Sequence, residues 1–525
     1  MLCPVKPSYL IKLIGTYAVF CGWNIAVASA TAEDCVAIAS SSLDGVRVDI
    51  AEVISERQDL PPFCRIAGEI EPSIGFETRL PMKDWNGKFL MSGCGAYCGE
   101  VLPDRKGYSN SVNYAVKRGY AATTTDSGHQ ASSTDTSWAY NNRGAEVLYA
   151  HAWVPLADAA SRKLILAFYS ESERYSYFSG CSNGGRTALK VAQLYPQLFD
   201  GIASGCPTIN LMEAAGIQGV FLDRTLVDDK GELILRAEKI PMLSQAVRNS
   251  CDSPDGLTDG LVSDPSACDF NPETLQCADD DLAESCLTAR EVEEIKRLYA
   301  GAHDSQGKAL YFGLPYGSEP YWARSLVGEN ELGQHYLADF GTNFLRYLSF
   351  EDDPGPDYHS GLFDLDEDIP KLEEMGRLFN ATSPDLSGLQ RAGGKLLMYH
   401  GLADTLIMYQ QSVDFYASVT NNLATAKEVR EFFRLFLIPG ADHCWGMTGY
   451  APDLFDPLLV LEKWVESGEI PERIKAIQYA ESSDGEGDGQ VLRSRALCPY
   501  PKRGQFIGSG SPFAAENFDC VMPVK

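Results

Sequence analysis

Gly180-Cys181-Ser182-Asn183-Gly184 sets a serine between two glycines at G-x-S-x-G spacing, the pattern of a nucleophile elbow. A serine used this way has to project from a sharp turn between a strand and a helix. The glycines leave room for the crowded backbone, and the helix N-terminus brings positive potential to an oxygen that gains charge. Five-residue matches also arise by chance, so the surroundings decide. Tyr175-Ser176-Tyr177-Phe178-Ser179 before it reads as a strand, and Arg186–Tyr195 after it reads as a helix.

The partners must follow in the order Ser, then Asp or Glu, then His. A strand over Lys395–Tyr399 runs into His400-Gly401-Leu402-Ala403-Asp404, which puts a carboxylate just past a strand end. A strand over Phe433–Ile438 runs into Pro439-Gly440-Ala441-Asp442-His443-Cys444, which puts an imidazole on the next loop. Alone, Asp404 could be a surface acid and His443 a structural histidine. Jointly they fit an orienting acid and a general base for Ser182. His400 is expected behind Asp404, Asp442 is expected to point away from His443, and His129 to shape the pocket floor or hold a loop. Cys181 adjoins Ser182 and Cys444 adjoins His443, so a meeting of serine and histidine would bring the two thiols together. A disulfide there would clamp the nucleophile loop to the histidine loop.

The elements that must hold these groups alternate. Leu80–Met82, Lys88–Met91 and Tyr120–Thr125 read as strands and Leu156–Ser170 as a helix, which indicates an α/β sheet. From Pro207 to Ala392 the rhythm breaks into a stretch rich in Asp, Pro, Gly and aromatics, with one clear helix near Ala289–Tyr299. One α/β domain over 31–206 and 393–525, interrupted by an insertion over 207–392, is the economical reading. Aromatic residues crowd the insertion between Tyr311 and Tyr347, most as core and a few as a pocket roof.

With 525 residues, 45% of them hydrophobic, the chain is long enough for a large core. Its 44 Lys and Arg against 72 Asp and Glu give a net charge of −28, which argues against a nucleic-acid backbone or an anionic membrane as partner. Lys6 and Lys12, the apolar run Leu13–Val27 and Ala28-Ser29-Ala30 read as a cleaved export signal over residues 1–30. The expected location is secreted or periplasmic, with no membrane anchor after processing. Thirteen of the 15 cysteines remain after that leader, which suits an oxidising compartment and leaves at least one thiol over. Cys94 and Cys98 have no further Cys or His cluster, so structural zinc is set aside. Gly93-Cys94-Gly95-Ala96-Tyr97-Cys98-Gly99 is one residue too long for a dinucleotide loop. Asp252, Asp255 and Asp259 lie among glycines within eight residues, either a solvated acidic turn or a wrap for a hard cation.

Together, the Gly-Cys-Ser-x-Gly-Gly elbow, the His-Gly-x-x-Asp segment at 400–404, the His443-Cys444 pair and Asn86-Gly87-Lys88-Phe89 resemble the tannase and feruloyl esterase family, which also includes a mono(hydroxyethyl)terephthalate hydrolase. The resemblance spans essentially the whole mature chain. It implies an α/β-hydrolase fold interrupted by a large inserted lid domain, with Ser182, His443 and Asp404 as catalytic triad. Asn183 would supply one oxyanion-hole amide as the residue after the nucleophile, and the family pattern puts the other at Gly93. The resemblance also implies a structural calcium ion in the lid, held by the carboxylates of Asp252, Asp255 and Asp259 and the carbonyls of Leu257 and Leu261. No organic cofactor is implied. Neighbour spacing and the family pattern together suggest Cys35–Cys64, Cys251–Cys268, Cys277–Cys286 and Cys498–Cys520 beside Cys181–Cys444. Cys94 and Cys98 stay open, and Cys206 is the odd thiol. By analogy Ile407 lines the acyl side.

The expected activity is hydrolysis of aromatic-acid esters, feruloyl before galloyl, on a small ester that is free or attached to a plant polysaccharide or polyphenol. A serine peptidase shares the triad chemistry, and a non-catalytic binding protein could share the scaffold; the intact Ser182, Asp404 and His443 speak against the latter.

Overall fold

The computed structural model describes residues 31–523 except 58–59, 106–111, 254, 279–284, 328–335, 424, 445–449 and 481–489. The leader expected over 1–30 lies outside the described residues. Nine strands make one sheet: Val46–Ile54 (β1), Phe63–Ile70 (β2), Ile74–Pro81 (β3), Lys88–Ser92 (β4), Ala121–Thr125 (β5), Tyr175–Cys181 (β6), Gly201–Gly205 (β7), Lys395–Gly401 (β8) and Phe433–Ile438 (β9). Their order is β1-β2-β3-β5-β4-β6-β7-β8-β9. The pairs β1–β2, β2–β3 and β3–β5 are antiparallel, and every pair from β5 to β9 is parallel.

The two faces of the parallel part follow from side-chain alternation. Register puts Met91, Phe178, Ile202, Leu396 and Phe433 in one row, and all five join one apolar cluster. The rows on either side of it, one with Leu90 and Tyr177 and the other with Ala203 and Leu397, join the cluster on the opposite face. Helices cover both faces, so these strands are buried along nearly their whole length. The edge strand β1 instead alternates between half-buried and exposed residues.

Among the described residues, the chain between β7 and β8 adds no strand to this sheet. It folds mainly as helices, among them Gln218–Thr225, Ile240–Cys251, Ala289–Ala300, Tyr336–Tyr347 and Glu373–Phe379. The helix Ala289–Ala300 starts at a Thr288–Glu291 capping box, a start signal local enough to be legible in sequence. The helices Gln218–Thr225 and Tyr336–Tyr347 cross at Gly219 and Gly341, where a Cβ on either would lie 2.6 Å from the other's Cα. Trp322, Phe344 and Leu298 sit in a separate apolar cluster that also takes in Tyr97, Tyr149, Ile407 and Met408 from the sheet's loops. The insertion is therefore packed onto the loops at the carboxyl ends of the strands.

Six disulfides are present among the described residues: Cys35–Cys64, Cys94–Cys98, Cys181–Cys444, Cys251–Cys268, Cys277–Cys286 and Cys498–Cys520. The pair left open from sequence, Cys94–Cys98, is bridged, and Cys206 is a buried free thiol. Among the described residues no helix is long and apolar enough to cross a membrane.

Candidate active site

The strands β4, β6, β8 and β9 are mutually parallel, so their carboxyl ends share one edge of the sheet. From that edge emerge the glycine loop, Ser182, Asp404 and His443. Ser182 follows the last residue of β6 with φ 60° and ψ −121°, and the helix Asn183–Leu194 starts at the next residue. A side chain held at positive φ is strained, and such strain concentrates at functional turns. The turn closes tightly: a Cβ at Gly180 would lie 2.5 Å from the Gly184 carbonyl oxygen. The Ser182 amide donates to the Gly205 carbonyl at 2.9 Å, which pins the elbow to β7.

Asp404 is fully buried beyond β8. Its Oδ1 accepts from the amides of Leu406 and Ile407, both at 2.9 Å. Its Oδ2 lies 2.7 Å from His443 Nδ1 and 3.0 Å from His400 Nε2. Burial works against this carboxylate, yet the two imidazoles and their hydrogen bonds hold its pKa well below the usual range. Since the carboxylate only accepts, His443 Nδ1 is the donor in this bond, which leaves Nε2 as the ring atom that can take a proton. His400 stands behind the carboxylate as expected: Nε2 also contacts the Ile407 carbonyl at 2.9 Å, and Nδ1 lies 2.7 Å from Ser412 Oγ.

Asp442 does turn away from His443. Its Oδ1 accepts from Thr405 N and Oγ1 at 3.1 and 3.0 Å, and Arg324 of the insertion donates to Oδ2 at 2.9 Å. Tyr321 donates to the Gly440 carbonyl at 2.6 Å, so the insertion grips the histidine loop at two points. His129 holds a loop: its Nε2 donates to the Tyr97 carbonyl at 2.9 Å, and its ring stacks 3.7 Å from Trp138. Burial lowers its pKa to about 4, so it is neutral in the working range.

Ser182 and His443 line one cavity of about 630 Å³, together with the glycine loop, Leu211, Ala214, Phe340 and Ile407. Cys181–Cys444 joins the neighbours of serine and histidine at its floor, with Cα atoms 6.0 Å apart. The Asn183 amide is the first of its helix and has no intrahelical acceptor. Gly93 requires a correction as the second oxyanion donor. Its amide donates to the Ser179 carbonyl at 2.9 Å, continuing the β4–β6 ladder past the end of β4. The glycine is needed for space instead, since a Cβ there would lie 3.0 Å from Gly184 Cα. The amides of Cys94, Gly95 and Ala96, which also line the cavity, donate to no group among the described residues.

Among the described residues, none of the acidic loop lines this cavity. Asp252 Oδ2 and Oδ1 accept from the amides of Gly260 and Leu261 at 2.7 and 3.2 Å, and Asp255 Oδ1 accepts from Leu257 N at 3.1 Å. Arg493 and Arg495 pair with Asp259 Oδ2, while Asp259 Oδ1 is buried without a partner. Burial and the neighbouring carboxylates raise the pKa of Asp252, and that of Asp255 to about 6.

A largely parallel sheet with a strand–serine–helix elbow at its carboxyl edge is the α/β-hydrolase fold. Within it, the family model for tannase and feruloyl esterase matches residues 52–521, and the chain belongs to that family. A probable feruloyl esterase of Arthroderma benhamiae is 32% identical over 473 residues, covering 84% of this chain and 81% of the relative. The mono(2-hydroxyethyl) terephthalate hydrolase of Piscinibacter sakaiensis is 29% identical, covering 90% and 87%. The crystal structure of feruloyl esterase B from Aspergillus oryzae superposes with a TM-score of 0.80 at 25% identity, covering 93% of this chain and all of that one.

Proposed function

We propose that the protein is an exported serine esterase that hydrolyses aromatic-acid esters, with feruloyl esters preferred. The observation that carries this reading is the buried Asp404–His443 pair, whose imidazole shares a cavity with Ser182 on the family's elbow. His443 takes the Ser182 proton through Nε2, and the alkoxide attacks the ester carbonyl. The alcohol leaves with that proton, and water, activated by the same imidazole, hydrolyses the acyl-enzyme. Asp404 orients the ring and stabilises the imidazolium. The Asn183 amide and one amide of the Cys94–Ala96 segment receive the oxyanion.

Leu211, Ala214, Phe340 and Ile407 give the cavity an apolar side suited to a substituted phenyl ring. A galloyl group carries three hydroxyls that need partners when buried, so this lining favours feruloyl over galloyl. Export is supported by the leader and by six disulfides. Residues 207–392 serve as the lid, and the ester is free or attached to a plant polysaccharide or polyphenol. Calcium is assigned to the lid loop, through the carboxylates of Asp252, Asp255 and Asp259 and the carbonyls of Leu257 and Leu261. The partnerless Asp259 Oδ1 and the mutual repulsion of these carboxylates support it, and the ion would fasten the loop.

Initial rates on methyl ferulate, methyl gallate and a peptide panel test the reading. Ester cleavage with ferulate ahead of gallate and no peptide cleavage is expected. Gallate ahead would move the protein to the tannase side, and peptide cleavage without ester cleavage would overturn the assignment.

A further inference from the structure

Asn183 matters to the elbow through its main chain, yet its side chain is also fully engaged. Arg186 Nε donates to Asn183 Oδ1 at 2.8 Å, so Nδ2 is the end turned toward the glycine loop. Nδ2 donates to the Cys94 carbonyl at 3.4 Å and to Cys98 Sγ at 3.2 Å, spanning the bridged Cys94–Cys98 turn. Arg186 is itself fully buried and makes no ion pair among the described residues. Three further bonds from its terminal nitrogens go to the carbonyls of Ala150 at 3.0 Å, Phe379 at 2.9 Å and Tyr149 at 3.3 Å. Its guanidinium lies 5.1 Å from the Tyr149 ring centroid, and the Tyr149 hydroxyl donates to the Ala96 carbonyl at 3.3 Å.

A buried cation without a carboxylate is costly unless every donor is satisfied, so this network holds Asn183 in one orientation. The consequence reaches the cavity through peptide geometry. In a trans peptide the carbonyl and the following N–H point in opposite directions. Donation from Asn183 Nδ2 to the Cys94 carbonyl therefore turns the Gly95 N–H away from that side-chain nitrogen, and Gly95 lines the cavity with its amide engaged by no group among the described residues.

We propose that the Asn183 side chain, held by Arg186, is a positioning residue for ester hydrolysis, fixing the Cys94–Gly95 peptide so that the Gly95 N–H is the second oxyanion donor. This rests on Ser182 as nucleophile and adds which amide completes the hole and what orients it. Because Phe379 of the insertion supplies one carbonyl to Arg186, the same contact joins the lid to the oxyanion hole.

Asn183→Asp keeps an acceptor for Arg186 but sets a carboxylate oxygen against the Cys94 carbonyl; Asn183→Ala removes the donor without adding charge. Both are assayed on the best ester of the panel, alongside binding of an arylboronic acid, which forms a tetrahedral adduct on a nucleophilic serine, and of free ferulic acid. A misplaced donor costs about 100-fold, so kcat should fall by about that factor. KM should stay within about twofold, because only transition-state contacts are lost. Boronate affinity should fall in step with kcat/KM, and ferulate affinity should not move. A kcat held within about threefold in whichever variant folds overturns the proposal. So does a parallel loss of boronate and ferulate affinity, the mark of a merely distorted pocket. Ester hydrolysis that persists in Ser182→Ala would instead bring down the assignment of the nucleophile.

Discussion

Cys181 and Cys444, 263 residues apart in sequence, are bridged with their Cα atoms 6.0 Å apart. The bond binds the residue before Ser182 to the residue after His443 across the whole insertion. Chain entropy alone gives a loop of this length about 5 kcal/mol, against about 3 kcal/mol for the short Cys498–Cys520 loop, as upper figures. Its effect on rate should be larger still. Proton transfer needs the two side chains within ~3 Å, and a 1 Å misplacement costs about 100-fold. The double variant Cys181→Ala, Cys444→Ala should lose about that much kcat, whereas Cys498→Ala with Cys520→Ala should lose stability with little change in kcat. Comparable kcat in the two double variants would mean that the bridge does not position the triad.

Asp404 has a folded pKa far below its unfolded value of about 3.9. A depressed carboxylate contributes stability that is present above the unfolded pKa and lost as pH falls through the folded one. The melting temperature of Asp404→Asn should therefore trail the wild type by a constant amount above about pH 5 and converge with it in stronger acid. A gap that stayed constant or widened below about pH 3 would contradict an ionised, hydrogen-bonded Asp404. The same substitution removes the acceptor that orients His443 and should lower kcat by about 10⁴-fold.

Calcium in the lid loop should appear as stability. A ligand bound only to the native state raises the melting temperature by mass action, and a chelator should reverse this. Asp255→Ala with Asp259→Ala should melt lower and show no response to calcium or chelator. Indistinguishable melting of wild type and variant under all conditions would leave an acidic turn braced by Arg493 and Arg495.

The elements nearest the chemistry were legible because their signals are local. The elbow, the strand ends before Asp404 and His443, and β9 to the residue can be read from short runs of sequence. The Cys181–Cys444 bridge followed from adjacency to the triad, without any knowledge of the intervening chain. Helices of the insertion were harder. Tyr336–Tyr347 carries Gly341 at its crossing with Gly219, so propensity argues against it while packing sustains it. The strand β7, Gly-Ile-Ala-Ser-Gly, is too short and too glycine-rich to signal itself, yet it is buried between its two neighbours β6 and β8. Gly93 shows the finer limit. Sequence locates the glycine loop, but which of its amides continues the β4–β6 ladder is decided by strand register.

The central claim is that Ser182 is the nucleophile of an ester hydrolase, and a fluorophosphonate probe tests it most directly. The protein is treated with the probe, digested and mapped by mass spectrometry, in parallel with Ser182→Ala. One adduct on Ser182 is expected in the wild type and none in the variant, which should stay folded, because the hydroxyl lines the cavity, and should retain less than about 1% of the esterase rate. An adduct on a different serine, or a Ser182→Ala protein that still cleaves the ester, would contradict the account.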